Sequence, residues 1–269
     1  MTGQAVHPKR VGDLLRDWRT RRRLSQMELA LEAGVSARHV SFVETGRARP
    51  SAEMILHLAE QLDVPLRERN QLLLAGGFAP VYSQRDLDDL LGEVSPVKAA
   101  LDQILTAHEP APALAVDRHW GMVAANRAVG LLLTGVAPHL LEPPVNVLRL
   151  SLHPEGLAPR IVNLDQWRSH VLDRLLRQAA QSGDPALHAL HAELVALPGG
   201  ADPYAHEQLA DLFVPLRLQG PDGVELTFLS TVTTFGTATD ITLAELAVEA
   251  FFPADTVTAD VMRAAAALD

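Results

Sequence analysis

The sequence contains no cysteine, only 4% aromatic residues, and no long apolar run. Without cysteine, the chain forms no disulfide framework, no thiolate nucleophile and no thiolate metal site, in keeping with a reducing cytosol. A membrane span needs about 18 consecutive apolar residues, and no segment approaches that length. The N-terminus also lacks the apolar stretch of a secretion signal. We therefore expect a cytoplasmic protein without a membrane partner.

Motifs for catalysis are also scarce. The chain has no GxxxxGK[ST], GxGxxG or HExxH sequence, and Ser151 lacks the GxSxG context of a hydrolase nucleophile. Five histidines remain as candidates for acid–base or metal roles: His153, His170, His188, His191 and His206. His188 and His191 lie three residues apart and could bind a metal with Glu193 or Asp184, but we favour solvated polar side chains. We therefore predict that the protein is not an enzyme and that it binds neither a metal nor a cofactor.

The charge is divided unevenly along the chain. Residues 1–80 hold 12 Lys and Arg against 9 Asp and Glu, net +3, whereas residues 81–269 hold 11 against 24, net −13. A length of 269 residues suits two domains, and the charges indicate different partners for them. The basic excess is densest at Arg16, Arg19, Arg21, Arg22 and Arg23. This cluster suits phosphate contacts, although a solvated helix face is the alternative.

The segment from Leu24 to Ser51 predicts two short helices joined by a tight turn. Ser25 is placed to cap the first helix, with Glu28 completing a capping box, and Gly34 ends that helix. Ser36 caps the second helix, which stops near Gly46. The register is that of a helix-turn-helix: four residues after Gln26, the small Ala30 lies where the two helices approach closely, and Gly34 lies at the turn. Val35, Val40 and Val43 then point into the small core.

These residues resemble the helix-turn-helix of the xenobiotic-response-element (XRE) class of bacterial regulators and phage repressors. The resemblance implies base contacts from Ala37, Arg38 and Phe42, with Ser36, His39 and Ser41 beside them, and a phosphate contact from Gln26. Arg47 and Arg49 follow the second helix and suit backbone contacts. A helical hairpin without DNA binding is the alternative, but the match of register disfavours it. Association with the nucleoid follows as an expectation.

The remaining helical patterns complete a small bundle and a joint. A flexible arm is predicted at 1–10. Helices are predicted over about Val11 to Arg22, from Pro50-Ser51 to Val64, and from Pro65 to Gly76-Gly77. We therefore predict an all-α, five-helix, repressor-like domain at 1–77 and a linker at 78–95.

Beyond residue 96 the pattern mixes helices with strands. After a helix from Pro96 to His108, Ala113–Val116 and Gly121–Ala125 predict a hairpin, followed by a short helix from Asn126. Two helices are predicted at Leu164–Ala180 and Asp184–Ala196. A second hairpin is predicted from Leu212–Leu218 and Glu225–Phe235 around Gly220-Pro221-Asp222-Gly223, and then one further strand at most and a helix. This order indicates an α+β domain at 96–269, with a small antiparallel sheet covered on one side.

The order is similar to a PAS-like sensor domain, and the pair of domains resembles the MmyB-like transcription regulators. The resemblance rests on ARHVSFVETGRARPS, LDVPLRERNQLLLAGGFAP, LAVDRHWGMVAANRA, LSLHPEGLAPRIVNLDQW and DITLAELAVEAFFPAD. It implies that 96–269 is a PAS-like ligand-binding and dimerisation domain whose ligand is a small, apolar, fatty-acid-like molecule. Few aromatics and few convergent basic residues agree with an aliphatic ligand.

Four polar-tipped residues at strand or loop ends are candidates for the ligand site: Trp120, Asn126, His153 and Trp167. For each of them, ordinary core packing is the alternative. Together the patterns predict a sequence-specific transcription regulator that binds double-stranded operator DNA as a homodimer and senses a small apolar ligand. Three alternatives stay open: a C-terminal domain that only dimerises, one with an unidentified enzymatic activity, or an N-terminal domain that binds another helical protein.

Overall fold

A computed structural model describes residues 9–199, 213–220 and 223–267. Some predictions fall outside these residues: residues 1–8 of the arm predicted at 1–10, His206, Leu212, and the turn residues Pro221 and Asp222. The chain divides into two compact units. The N-terminal unit comprises Met1–Gln84 with the short segments Ala180–Ser182 and Thr239–Ile241; the C-terminal unit comprises Arg85–Ala179, Gly183–Ala238 and Thr242–Asp269.

The N-terminal unit contains the five predicted helices. They are α1 (Val11–Arg21), α2 (Gln26–Glu32), α3 (Ala37–Glu44), α4 (Ala52–Gln61) and α5 (Leu66–Gly76). Their buried apolar side chains form one core that includes Leu15, Trp18, Val40, Ile55 and Leu72. The all-α, repressor-like fold is thus confirmed, and its helix-turn-helix consists of α2 and α3.

Local signals account for the helix ends in this unit. Ser25 and Glu28 form the predicted capping box at the start of α2. The Ser36 hydroxyl accepts a hydrogen bond from the His39 N–H at the start of α3. Gly34, between α2 and α3, has φ +62°, a left-handed conformation that a residue with a Cβ adopts at a cost.

The packing of α1 against α3 requires a glycine. A Cβ atom at Gly12 would lie 2.3 Å from the carbonyl oxygen of Val43 and 2.8 Å from that of Glu44, so a larger residue would push the two helices apart. Gly12 therefore sets how closely α1 approaches the end of α3.

The rest of the chain combines helices with one sheet. Its helices are α6 (Leu87–Leu90), α7 (Pro96–Ala107), α8 (Val129–Leu132), α9 (Val147–Leu152), α10 (Leu164–Ser182), α11 (Pro185–Ala196), α12 (Ile241–Ala244) and α13 (Thr256–Ala266). Its strands are β1 (Ala113–Val116), β2 (Met122–Ala125), β3 (Leu216–Gln219), β4 (Glu225–Thr234) and β5 (Ala247–Pro253). Among the described residues, no helix has the length and apolar character needed to cross a membrane.

The sheet is antiparallel throughout, with the order β2-β1-β5-β4-β3. Both predicted hairpins are present as β1–β2 and β3–β4. The last strand, β5, lies at the centre, where Glu249 is paired with Leu114 of β1 and with Val232 of β4. The sequence patterns gave no bounds for β5 and did not predict α9, although the α+β fold with a small antiparallel sheet is confirmed.

Apolar side chains are buried on both faces of β1. Leu114 and Val116 belong to the large core shared with α8 to α11, whereas Ala113 and Ala115 pack with Leu101 of α7. The prediction that helices cover only one side of the sheet was therefore wrong at this strand. Alternating side chains of one strand face opposite sides, so a fully buried strand needs helices on both.

Candidate DNA-binding surface and ligand cavity

Helix α3 has one buried face and one solvent-facing face. Val40 and Val43 are each 1% exposed and belong to the core of the N-terminal unit. On the other side Arg38 is exposed, and Ser41 and Phe42 are half-buried. A short, capped helix that leaves side chains of its first turns accessible has the form used to read the major groove.

Two arginines flank the ring of Phe42. The guanidinium carbon of Arg38 lies 5.0 Å from the ring centre, and that of Arg47 lies 5.9 Å from it. Both distances are within the range of cation–π attraction. Two positive charges therefore lie beside the Phe42 ring at the accessible face of α3, and the Arg47 side chain is exposed.

A buried ion pair connects α1 with the end of α3. The guanidinium of Arg19 donates from Nε and Nη2 to the two carboxylate oxygens of Glu44, at 2.6 and 2.9 Å. Arg19 also donates to the carbonyl oxygen of Leu24, and the Gln26 amide donates to Glu44, both at 2.7 Å. The hydrogen bond to Glu44 raises the pKa of Arg19 above its usual value, against the effect of burial. This network joins α1, α2 and α3.

The basic cluster near the end of α1 is only partly available to a ligand. Arg19 bonds to Glu44, and Arg22 donates to the carbonyl oxygens of Leu62 and Asp63, at 2.8 and 2.5 Å. The other three members, Arg16, Arg21 and Arg23, are exposed. The prediction that the cluster as a whole suits phosphates was therefore wrong for Arg19, whose donors are engaged within the protein.

The C-terminal unit contains a small apolar cavity of about 50 Å³. Its lining comes from β1, β2, β3, β5 and helices α8 to α10, and includes Leu114, Leu132, Leu148, Val171, Leu216 and Phe251. Trp167 also lines it and donates from Nε1 to the buried hydroxyl of Ser151 at 2.9 Å. This apolar space beside the sheet is a candidate ligand site.

Two charged residues in the lining of this cavity, Arg174 and Glu249, were not predicted from the sequence. Nη1 of Arg174 donates to Oε1 of Glu249 at 3.0 Å, and the two side chains are only 19% and 5% exposed. The Arg174 guanidinium carbon lies 4.4 Å from the ring centre of Trp120. A signal was available, because Arg174 interrupts the apolar face of α10 beside Val171 and Leu175.

Two family models match the chain. Residues 97–265 match the family model of the MmyB-like transcription regulator ligand binding domain. The chain belongs to the MmyB-like transcription regulators. Residues 15–69 match a helix-turn-helix family model, so this MmyB-like regulator joins a DNA-binding domain to a ligand-binding domain.

No curated protein matches the chain. Among solved structures, this MmyB-like regulator is similar to a chain described as "Structure of an RNA-binding Light-Oxygen-Voltage Receptor", with 15% identity and a TM-score of 0.26. The match covers 94% of this chain but 61% of that one.

The predicted DNA-contacting residues of this MmyB-like regulator are grouped around α3. Ser36 to Phe42 begin the helix, and Arg47 and Arg49 follow it with exposed side chains. Gln26 lies at the start of α2 and is half-buried, with its amide nitrogen bonded to Glu44. The Nε2 atom of His39 is buried and has no hydrogen-bond partner among the described residues. Thus α3 presents Arg38 and Phe42 most directly.

The four residues predicted to line the ligand site occupy different places. Trp167 lines the cavity, and the ring centre of Trp120 lies 4.4 Å from the guanidinium carbon of Arg174, another lining residue. The Asn126 amide is engaged with the backbone: it accepts from the Ala113 N–H at 3.0 Å and donates to the carbonyl oxygens of Leu105 and Ala111. Neither Asn126 nor His153 is among the residues that line the cavity.

His153 lies instead in a surface cluster with His139 and Glu155, whose ligand atoms are within 4.8 Å of one another. Its Nδ1 accepts a hydrogen bond from the Glu155 N–H at 3.1 Å, which places the proton of the neutral ring on Nε2. A metal ion would have to displace this hydrogen bond or that proton.

The metal site considered around His188 and His191 of α11 would use the carboxylates of Glu193 and Asp184, which already form ion pairs. Glu193 accepts from Arg149 at 2.6 Å, and Asp184 pairs with Arg118 at 3.0 Å and with His119 at 2.9 Å. The carboxylates that would join His188 and His191 therefore already have cationic partners.

Proposed function

We propose that this MmyB-like regulator binds operator DNA in a sequence-specific manner and that a small apolar, fatty-acid-like ligand in its C-terminal domain controls that binding. The observation that supports DNA reading is the arrangement of α3. The ion pair between Arg19 and Glu44 holds the C-terminal end of α3, while the Arg38 side chain and the Phe42 ring remain accessible. A fixed helix with accessible polar and apolar side chains is what direct readout in the major groove requires.

In this proposal the predicted residues divide into two groups. Ala37, Arg38 and Phe42 contact base edges, and Ser36, His39 and Ser41 lie beside them. Gln26, Arg47 and Arg49 contact the sugar–phosphate backbone, together with the exposed arginines near the end of α1. Backbone contacts supply affinity that falls steeply with salt, whereas base contacts supply specificity. One short helix discriminates poorly alone, so we propose a homodimer on a two-fold symmetric site.

The ligand proposal rests on the apolar lining of the cavity. Its volume of about 50 Å³ is below the roughly 300–1,000 Å³ of typical ligand sites, so an alkyl chain enters by separating the lining side chains. The ligand changes DNA affinity only as far as it binds two states of the protein differently.

The DNA proposal is tested by gel-shift titration, in which the wild-type protein and Arg38→Ala are compared on an operator that has been selected with the wild-type protein. We expect a loss of about 1–3 kcal/mol in binding free energy and relaxed specificity at one base pair. Arg49→Ala is the matched control, because removal of a phosphate contact weakens all sequences alike and lowers the salt slope by about 1. Unchanged operator affinity in Arg38→Ala would exclude a base-reading role for Arg38.

The ligand proposal is tested by native mass spectrometry of the purified protein, followed by denaturing extraction. Recovery of an alkyl-chain molecule at near one per subunit supports the sensor. A dimer that carries no small molecule, and that binds none from a panel of alkyl compounds, would contradict ligand control and leave the DNA proposal standing.

A further inference from the structure

Strand β4 is longer than its outer neighbour, β3, so part of its outer edge extends beyond that strand. β3 pairs with β4 only from Glu225 to Phe228, whereas β5 pairs with β4 from Phe228 to Thr234. β3 is also the last strand of the sheet. Within the described part of the chain, no strand therefore pairs with the outer edge of β4 from Leu229 to Thr234. Residues 231–234 are exposed.

The backbone groups of alternate residues point out of this edge. In an antiparallel strand, the N–H and C=O groups of one residue point to the same neighbour, and successive residues alternate. The Gly220 N–H donates to the carbonyl oxygen of Val224 on the β3 side. The Ala254 N–H donates to that of Thr227 on the β5 side. Even-numbered residues of β4 therefore point toward the outer edge. Beyond the end of β3 they are Ser230, Val232 and Thr234.

This edge lacks the features that usually prevent a strand from pairing with another chain. Proteins protect open edges with charged side chains, proline or a bulge. Residues 226–239 contain no charge and no proline, and β4 pairs with β5 in an unbroken register. Elsewhere the domain is acidic, since residues 81–269 hold 11 Lys and Arg against 24 Asp and Glu, net −13. The edge of β4 is thus a place where two acidic copies can meet without repulsion between their charges.

The sequence of the edge is close to symmetrical about Val232. Residues 229–235 read LSTVTTF, with threonine on both sides of the valine, then a serine and a threonine, and a large apolar residue at each end. In an antiparallel pair with a two-fold axis at Val232, Thr231 lies opposite Thr233 of the second copy. The leucine and the phenylalanine at the two ends also lie opposite each other. Threonine pairs and aromatic–aliphatic pairs are favourable across strands, so the edge is complementary to itself.

We propose that two copies of this chain associate through the outer edge of β4, so that the antiparallel sheet of one copy continues into that of the other. Val232 pairs with its own counterpart, and Ser230 pairs with Thr234 of the second copy. Each of these pairs exchanges both of its backbone hydrogen bonds. This inference rests on the proposed homodimer and identifies its interface. A two-fold axis through Val232 supplies the symmetry that a two-fold symmetric operator requires.

The test measures the dimer dissociation constant of the full-length protein by analytical ultracentrifugation. Val232→Pro removes the outward N–H at the axis and spares the hydrogen bonds to β5, because residue 232 points away from that strand. We expect the dissociation constant to rise at least about tenfold, since the hydrogen bonds exchanged at the axis are lost. Val232→Thr is the matched control, because it keeps the branched shape and the N–H, and it should change the constant by no more than about twofold.

The outcomes separate the interface from the homodimer itself. A wild-type protein that stays monomeric overturns both proposals. A wild-type dimer whose dissociation constant is unchanged in Val232→Pro overturns the interface and leaves the homodimer standing. Thermal unfolding followed by circular dichroism verifies that each variant is folded.

The absence of cysteine gives a second readout that does not depend on Val232→Pro. In the proposed register, residue 231 lies opposite residue 233 of the second copy in a pair without backbone hydrogen bonds, with Cα atoms about 4.5 Å apart. A disulfide can span that distance. Under mild oxidation, a mixture of Thr231→Cys and Thr233→Cys proteins should form covalent dimers at least about tenfold faster than a mixture of Thr106→Cys and Thr233→Cys. Thr106 is the control because it is exposed on α7, outside the edge of β4. Equal rates in the two mixtures would overturn the proposed pairing.

Discussion

Each unit of the molecule contains a buried arginine–glutamate pair among its described residues, and the two pairs differ in how many of their hydrogen bonds are made. In the N-terminal unit, Arg19 and Glu44 form two parallel hydrogen bonds, and Leu24 and Gln26 supply further partners. In the C-terminal unit, Arg174 donates to Glu249 through one hydrogen bond of 3.0 Å, and another guanidinium nitrogen has no partner among the described residues.

The difference separates a fully bonded pair from a partly bonded one. A fully bonded, bidentate pair fixes the positions of the helices that carry it. The partly bonded pair lies in a cavity wall and leaves a buried donor without a partner among the described residues. The same two residue types are therefore bonded to different extents because their surroundings differ, and the following predictions test that distinction.

The largest effect is expected from Glu44→Gln, which leaves the Arg19 charge buried without a counter-charge. We expect a loss of about 3–5 kcal/mol in the unfolding free energy of the N-terminal unit, with loss of operator binding. Urea unfolding followed by circular dichroism measures it. Glu32→Gln, at an exposed position of α2, is the control, and an equal effect of both substitutions would show that the Arg19–Glu44 pair is dispensable.

A smaller effect, opposite in sign between the units, is expected from two glycine substitutions. Gly34 has φ +62°, so Gly34→Ala should destabilise the N-terminal unit by about 1–2 kcal/mol. Gly130 lies in α8 with open space at its Cβ position, so Gly130→Ala should stabilise the C-terminal unit by about 0.4–1 kcal/mol. Thermal unfolding measures both, and destabilisation by both alike would contradict the assigned backbone conformations.

A near-neutral effect is expected when both members of the C-terminal pair become apolar. Arg174→Met with Glu249→Leu removes two buried charges together and should change the unfolding free energy by no more than about 1 kcal/mol, because desolvation of the pair offsets its attraction. A loss of stability as large as that of Glu44→Gln would make the two pairs equivalent and break the comparison.

The smallest effect concerns pH. Burial lowers the pKa of His170, and the charges of Arg174 and Arg177 lower it further. The unfolded chain then binds a proton more readily than the native protein, so stability falls as pH decreases below about 6.5. His170→Asn should weaken this slope in the C-terminal unit, as measured by denaturant unfolding at several pH values. Identical slopes in the two proteins would exclude His170 as their source.

The N-terminal unit could be predicted almost to the residue. The caps at Ser25, Ser36 and Ser51 and the glycine at Gly34 lie within a few residues of the helix ends they define. The accessible side chains of α3 followed from helical spacing. What could not be predicted was which arginines near the end of α1 remain available, because Arg19 is engaged by Glu44 and Arg22 by the backbone of Leu62, both distant in sequence.

The C-terminal unit was predicted in class but not in detail. Both hairpins followed from alternating apolar residues and turns, since their partners are neighbours in the chain. The bounds of β5 could not be predicted in this way, because β5 pairs with β1, a strand distant in the sequence, where Leu114 lies opposite Glu249. The cavity site was missed for the same reason: the burial of Arg174 depends on Trp120 and Glu249, which other segments bring to it.

By itself, the sequence determined the helix-turn-helix, the division of charge and the α+β class of the second domain. These features depend on hydrogen bonds, caps and periodicities that act within a few residues. Only the tertiary structure decided which charged side chains are buried and which of their hydrogen bonds remain unmade. Burial and satisfaction are properties of the neighbours that a side chain acquires on folding, and in this protein those neighbours come from distant segments.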